Sequence, residues 1–236
     1  RRLHRGHLVT QSTQGQLVGL TDFADIHKGE TVWVLGSGAS LQRIAPRLLA
    51  GQTVVATNFA GTTAGLEWFY SVAHHHSDAD RIAVLRPDLL VLTPAVEQLP
   101  PEDRSPERAS EPNVVFVPTT DQHYERFDPR AHWPADEDRL VVGPTSLHMA
   151  MHLAVYMGAA DIILVGADCG AFDNVSRIAD YPDPDGHLHF GLWTRSLEAM
   201  AAKIRGLGVG VHSLNPWVTP RLEGHRYETE GLTING

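Results

Sequence analysis

The chain has 236 residues, 42% of them hydrophobic, and a formal charge of −9 from 19 basic and 28 acidic side chains. That length suits one large domain, or one domain with a lid, and the composition excludes wholesale disorder. The acidic balance argues against a general nucleic-acid or anionic-membrane surface, although backbone dipoles can bind a small anion inside an acidic protein.

One cysteine, Cys169, excludes an intrachain disulfide and fits a reducing compartment. No apolar run approaches the roughly 20 residues that span a bilayer, and no signal-peptide pattern is visible. A cytoplasmic protein without a transmembrane segment is expected. Residues 1–20 read as an N-terminal arm, 21–226 as a single domain, and 227–236 as a C-terminal tail.

Thr21 to Gly29 reads as a short helix ended by glycine. Thr31-Val-Trp-Val-Leu-Gly-Ser-Gly-Ala-Ser-Leu41 follows, an apolar β run (strand one, Val32 to Leu35) that stops at a small-residue turn. An amphipathic helix with Leu41, Ile44, Leu48 and Leu49 on one face is expected next, capped by Ser40 or Ser37. Strand, glycine turn and helix start together form an anion site. Gly36 and Gly38 would let the backbone approach a ligand, and Ser37, Ala39 and Ser40 complete the turn. A tight βα turn with no ligand is the bland alternative. The turn is neither common phosphate fingerprint: Leu41-Gln42 stands where a P-loop needs Lys-Ser or Lys-Thr, and Leu41 stands where G-x-G-x-x-G needs glycine. Strand two, Thr53 to Thr57, is followed by Asn58 rather than an acid, which weakens an NAD reading.

Further strands are expected at Glu67–Ala73, Leu89–Thr93 and Asn113–Pro118, with a helix from about Ser77 to Leu85. Residues 94–112 and 121–138, rich in proline, charge and aromatic residues, read as mobile loops. Within the second, His123, Tyr124, Phe127, His132 and Trp133 are placed to cover a site. Gly143-Pro-Thr-Ser-Leu-His148 opens a long helix, Ser146 to Met157, whose apolar residues on most faces imply burial. A strand at Asp161–Asp168, a loop at Cys169–His189, a helix at about Leu192–Leu207 and a strand at Gly208–Pro216 complete the series. Alternating β and α elements with right-handed crossovers give an α/β fold, a doubly wound, mainly parallel sheet with irregular lid loops.

Ligands bind such sheets at the carboxyl ends of the strands, and the polar residues concentrate there. Asn58 offers a donor and an acceptor to a base, a ribose or a sugar hydroxyl; a turn-forming role is equally open. Thr145 and Ser146 supply hydroxyls and a second set of helix-start N–H groups. Asp168 could hold ribose hydroxyls, a divalent ion or a proton. Cys169 reads as a small buried residue rather than a nucleophile. Consecutive histidines point in different directions, so His74-His75-His76 is a poor metal site, and one of them (His74) is expected in the cleft. His187 and His189 lie in the loop before the last helix, where histidine can act as general base or donate to a phosphate.

Asp25-Ile-His-Lys-Gly-Glu30, Leu35-Gly-Ser-Gly-Ala-Ser-Leu41, Thr57-Asn58 and the whole block Gly143 to Gly170 resemble one bacterial superfamily. It comprises MptE-like proteins, similar to archaeal 6-hydroxymethylpterin diphosphokinase, and the bacterial lipooligosaccharide sialyltransferases. Ser213-Leu-Asn-Pro216 with Leu222-Glu-Gly-His225 looks like its uncharacterised bacterial members. On the sialyltransferase side the resemblance implies a Rossmann-like sheet holding a CMP-type sugar donor through Gly36, Gly38, Ser40 and Asn58. The Thr-Ser helix start maps to Thr145 and Ser146, and the base to His187 or His189. Tyr181 is nearest to the tyrosines that assist the leaving phosphate there.

On the diphosphokinase side it implies Mg2+-assisted pyrophosphoryl transfer from ATP, with Asp168 and Asp173 holding the ion. The preferred expectation is a nucleotide-dependent glycosyltransferase. The diphosphokinase is the alternative, and a nucleotide-binding module without catalysis is a third. The expected partners are a small-molecule nucleotide and a hydroxyl acceptor; a homo-oligomer is compatible with this, a nucleic acid is not.

Overall fold

In the computed structural model the described residues are 20–62, 70–95, 111–120, 127–129, 133–134, 138–170 and 190–214. Among them seven strands form one parallel sheet: β1 Thr31–Leu35, β2 Thr53–Thr57, β3 Tyr70–Val72, β4 Leu90–Pro94, β5 Val114–Val117, β6 Asp161–Val165 and β7 Gly210–Ser213. Their order is β5-β4-β3-β2-β1-β6-β7. The chain therefore builds outward from β1 in one direction, then returns to its other side. At the centre Leu35 stands beside Ala56 on one edge and Val165 on the other.

The continuous apolar strands are explained by burial on both faces. Val32, Val34, Val55, Ile162 and Leu164 point into one core, while Trp33, Leu35, Val54, Ile163 and Val165 point into the other. Helix α1, His76–Leu85, covers β4 and β5 on the second face. Helix α2, Ser146–Tyr156, lies across β1, β2 and β3 on the first, beside α3, Phe190–Gly206. Nine consecutive residues of α2, Ser146 to Ala154, are buried. Phe127 and Trp133, expected over a site, instead pack on His148 and His152 of this helix, at ring distances of 4.7 and 4.3 Å.

Two expected helices are absent as such. Residues 40–50 form two short 3-10 turns, Ala39–Arg43 and Pro46–Leu48, separated by extended Ile44 and Ala45. Pro46 is the cause: it disfavours helical geometry in the residue before it and offers no N–H. Leu41, Ile44 and Leu49 still reach the core. At the start, only Leu20–Phe23 is helical, again as a 3-10 turn. Asp25 then turns left-handed, at φ 56°, and the strand of chain that follows caps α2. The N–H groups of Asp25, His27 and Gly29 donate to the carbonyls of Tyr156, Met157 and Gly158, which have no partner within a helix end.

The arm before Leu20, the tail after Leu214 and most of the two expected mobile loops lie outside the described residues. No helix among the described residues is long and apolar enough to cross a membrane.

Candidate functional site

The strand order reverses between β1 and β6, and that is where a parallel sheet opens a crevice. The loops leaving these two strands are clasped. Gly36 N–H donates to Val165 O at 2.7 Å and Gly38 N–H to Gly166 O at 2.9 Å. A Cβ on Gly36 would lie 2.9 Å from the Gly166 carbonyl carbon and nearer still to its oxygen. A Cβ on Gly38 would lie 2.6 Å from the Asp168 carboxyl. The glycines thus admit the neighbouring loop, where the sequence pattern suggested that they admit a ligand.

Asp168 completes the clasp. Its side chain is buried, and it accepts from the Ser40 N–H at 2.8 Å and from the Ser40 hydroxyl. A carboxylate of the chain itself thus stands beside the turn expected to take a phosphate, and Ser37 and Gly38 of that turn line the cavity with it. With no α-helix behind this turn, the macrodipole argument for an anion here also falls. Ser40→Ala removes one of these two donors from a buried charge and should cost about 1–3 kcal/mol of stability. The urea midpoint measures this, and an unchanged midpoint would show the contact to be idle.

A cavity of about 240 Å³ opens beside the clasp. Of the residues singled out from sequence, Ser37, Gly38, Asn58, His74, Thr145, Ser146 and Asp168 line it. Gly36, Ala39 and Ser40 are buried and absent from its lining. His187, His189, Asp173 and Tyr181 lie outside the described residues.

The wall is cross-linked. Ser37 Oγ donates to Thr57 O at 3.1 Å, and Ser146 Oγ donates to Asn58 Oδ1 at 3.1 Å. Asn58 adopts φ 47°, a left-handed geometry that asparagine tolerates better than most residues. It therefore turns the chain and faces the cavity at once. At the α2 start, His148 reaches back so that Nδ1 lies 3.3 Å from the Thr145 N–H, in a capping box with histidine in the usual acidic position. Gly143 makes room for that ring, since a Cβ there would sit 2.6 Å from its Cδ2.

The three consecutive histidines diverge. His74 is buried in the cavity wall, His75 is exposed at its rim, and His76 turns away to Pro94 O at 3.0 Å and the Phe116 ring. Burial, with His75 and His148 adding to it, pushes the His74 pKa down to about 3. Burial likewise lowers His148 to about 4 and His152 to about 3. Cys169 moves the other way: burial first, then the Asp168 charge, raise its thiol to about 12, so it supplies no thiolate. Among the described residues no group of three His, Cys, Asp or Glu side chains could hold a metal ion.

Sequence reasoning missed Pro144, Phe190 and Trp193, which also line the cavity. Phe190 and Trp193 meet edge-to-face at 5.7 Å on the first turn of α3. Their i, i+3 spacing was available as a signal, but the helix was expected to begin only at Leu192.

The fold resembles that of glycosyltransferases of known structure. The Maf glycosyltransferase from Magnetospirillum magneticum AMB-1 superimposes with a TM-score of 0.55 at 12% identity, covering 98% of this chain and 38% of that one. The chain thus spans well under half the length of that enzyme. The sialyltransferase CstII from Campylobacter jejuni, in complex with a substrate analogue, cytidine-5'-monophosphate, gives a TM-score of 0.49 at 14% identity, over 89% of this chain and 91% of that one. No family model matches the sequence, and no curated protein matches it.

Proposed function

We propose that the chain is a nucleotide-dependent transferase, a sialyltransferase-like glycosyltransferase that moves a sugar from a CMP-type donor to a hydroxyl acceptor. One observation carries this reading. The cavity sits at the switch point of the sheet, and polar residues from the ends of β1, β2, β3 and β6 and from the start of α2 converge on it. The fold likeness to the Maf glycosyltransferase supports it, and the CMP preference rests on the motif resemblance to the sialyltransferases alone.

With the Asp168 carboxylate beside the first glycine turn, the donor phosphate is better placed at the start of α2. The N–H groups of Ser146 and Leu147 belong to its first turn and have no intrahelical acceptor, and eleven residues of helix stand behind them. Ser37, Gly38 and Asn58 would orient the nucleoside and sugar. His187 or His189 would take the proton of the acceptor hydroxyl as its oxygen bonds to the anomeric carbon; the nucleotide leaves with the electrons of the broken C–O bond. Residues 21–226 would form this single domain, in the cytoplasm.

The diphosphokinase alternative needs Asp168 as a magnesium ligand. Its carboxylate already accepts from Ser40, and Asp173, the second ligand that reading needs, lies outside the described residues. A thermal-shift panel of CMP, CDP, UDP, ATP and GDP, each with and without magnesium, tests the proposal. CMP or CDP at a hundredfold excess over Kd should add about 2.7 kcal/mol, a rise of roughly 5–10 °C, without metal. A response to ATP and magnesium alone would select the diphosphokinase, and silence throughout would overturn nucleotide binding. Cytidine binding without transfer of sugar would select the non-catalytic module.

A further inference from the structure

We propose that His74 is a specificity-determining contact, presenting Nε2 of its imidazole to a neutral polar group of the donor, a sugar hydroxyl or a polar edge of the nucleobase. The proposal rests on the transferase reading and adds to it the electrical character of one subsite.

His74 follows β3 by two residues, and the sheet pattern continues to its doorstep through Ala73 N–H, which donates to Leu92 O at 3.0 Å. The ring is therefore held by the sheet rather than by a loose loop. It lies 5% exposed in the cavity wall. The neighbouring polar groups satisfy one another: Ser37 with Thr57, Ser146 with Asn58, and Ser40 with Asp168. His74 Nε2 is buried and without a hydrogen-bond partner among the described residues; other buried atoms share that condition, His148 Nε2 among them, but of these residues His74 is the one that lines the cavity. Native proteins pair nearly all such atoms, and an orphan beside a cavity points to a partner that arrives with the ligand.

The charge state follows from the surroundings. Among the described residues the groups whose charge acts on His74 are His75 and His148, both basic. Burial disfavours an imidazolium most, and those two basic neighbours disfavour it further. A neutral ring has one donor and one acceptor nitrogen, which suits a hydroxyl, carbonyl or amino group. The phosphate is better served by the α2 amides.

The test compares binding of CMP and of a CMP-activated sugar to the wild type, His74→Gln and His74→Leu. Glutamine places an amide near the position of Nε2, and leucine fills the space with none. His74→Leu should bind about tenfold more weakly or worse, and His74→Gln should stay within about threefold of the wild type. Equal losses for both ligands assign the contact to the nucleoside; a loss for the CMP-sugar alone assigns it to the sugar. Undiminished binding of both by His74→Leu overturns the proposal. Should that variant not fold, the ring nitrogens of wild-type His74 are followed by ¹⁵N NMR during CMP-sugar titration. A shifted Nε2 in a ring that stays neutral supports the contact, and an unmoved Nε2 or an imidazolium signature refutes it. If the wild type binds neither ligand, the transferase reading itself has failed and this contact falls with it.

Discussion

Gly36→Ala should leave little or no folded protein, a loss of more than about 3 kcal/mol. The added carbon would meet the Gly166 backbone, 2.9 Å away at its carbonyl carbon. No flexible side chain can yield there. The opposing atoms belong to a loop already tied to β1 by the Gly36 and Gly38 N–H groups. Gly206→Ala provides the contrast, because a Cβ at that helical position meets nothing within 4 Å. It should be neutral or gain up to about 1 kcal/mol from helix propensity. Urea unfolding followed by circular dichroism measures both. A Gly36→Ala midpoint close to wild type would mean that the clasp between the first and sixth strands does not exist in solution.

Acid should weaken the fold well before its carboxylates titrate. His74, His148 and His152 have folded pKa values lowered to about 3, 4 and 3, against 6.5 for a free imidazole. Above the free value neither state holds the extra proton, and stability is complete. Between the two values the unfolded chain binds protons that the folded chain refuses, so stability falls as pH falls. Each fully buried histidine then costs about 1.4 kcal/mol per pH unit. Three together give about 4 kcal/mol between roughly pH 7.5 and 5.5, a large fraction of the stability of a typical domain. The urea midpoint across that range measures it, and His152→Gln should flatten the slope by about a third. A flat profile would show these rings to be solvated or charged in the native state.

Much of the sheet could be read from residues alone, because strands buried on both faces are written as unbroken apolar runs. Thr53 to Thr57 coincides with β2 to the residue. The helix expected after Ser40 failed for a local reason: its apolar spacing was right, and Pro46 within it was given no weight. The segment around Asp25 failed for a distant one, since its amides follow the end of α2, more than a hundred residues along the chain. At the site, position at a strand end was enough to gather Ser37, Asn58, His74 and Asp168 around one cavity. The purpose of the glycines was not legible. A pattern of small residues reports that something comes close, and only the fold tells whether it is a ligand or another loop. The pairing of Ser40 with Asp168 joins residues 128 positions apart, beyond any local pattern.

The strand order has a consequence for how the chain is made. Strands β1 to β5 can associate as they emerge, each beside its predecessor. The free edge of β1 must then wait through residues 36–160 for β6 to be synthesised. During that interval the apolar run Val32 to Leu35 is a ready template for pairing with another nascent copy. Chaperone dependence and loss to inclusion bodies should therefore concentrate in chains cut short before Asp161, and should ease once Val165 has cleared the ribosome.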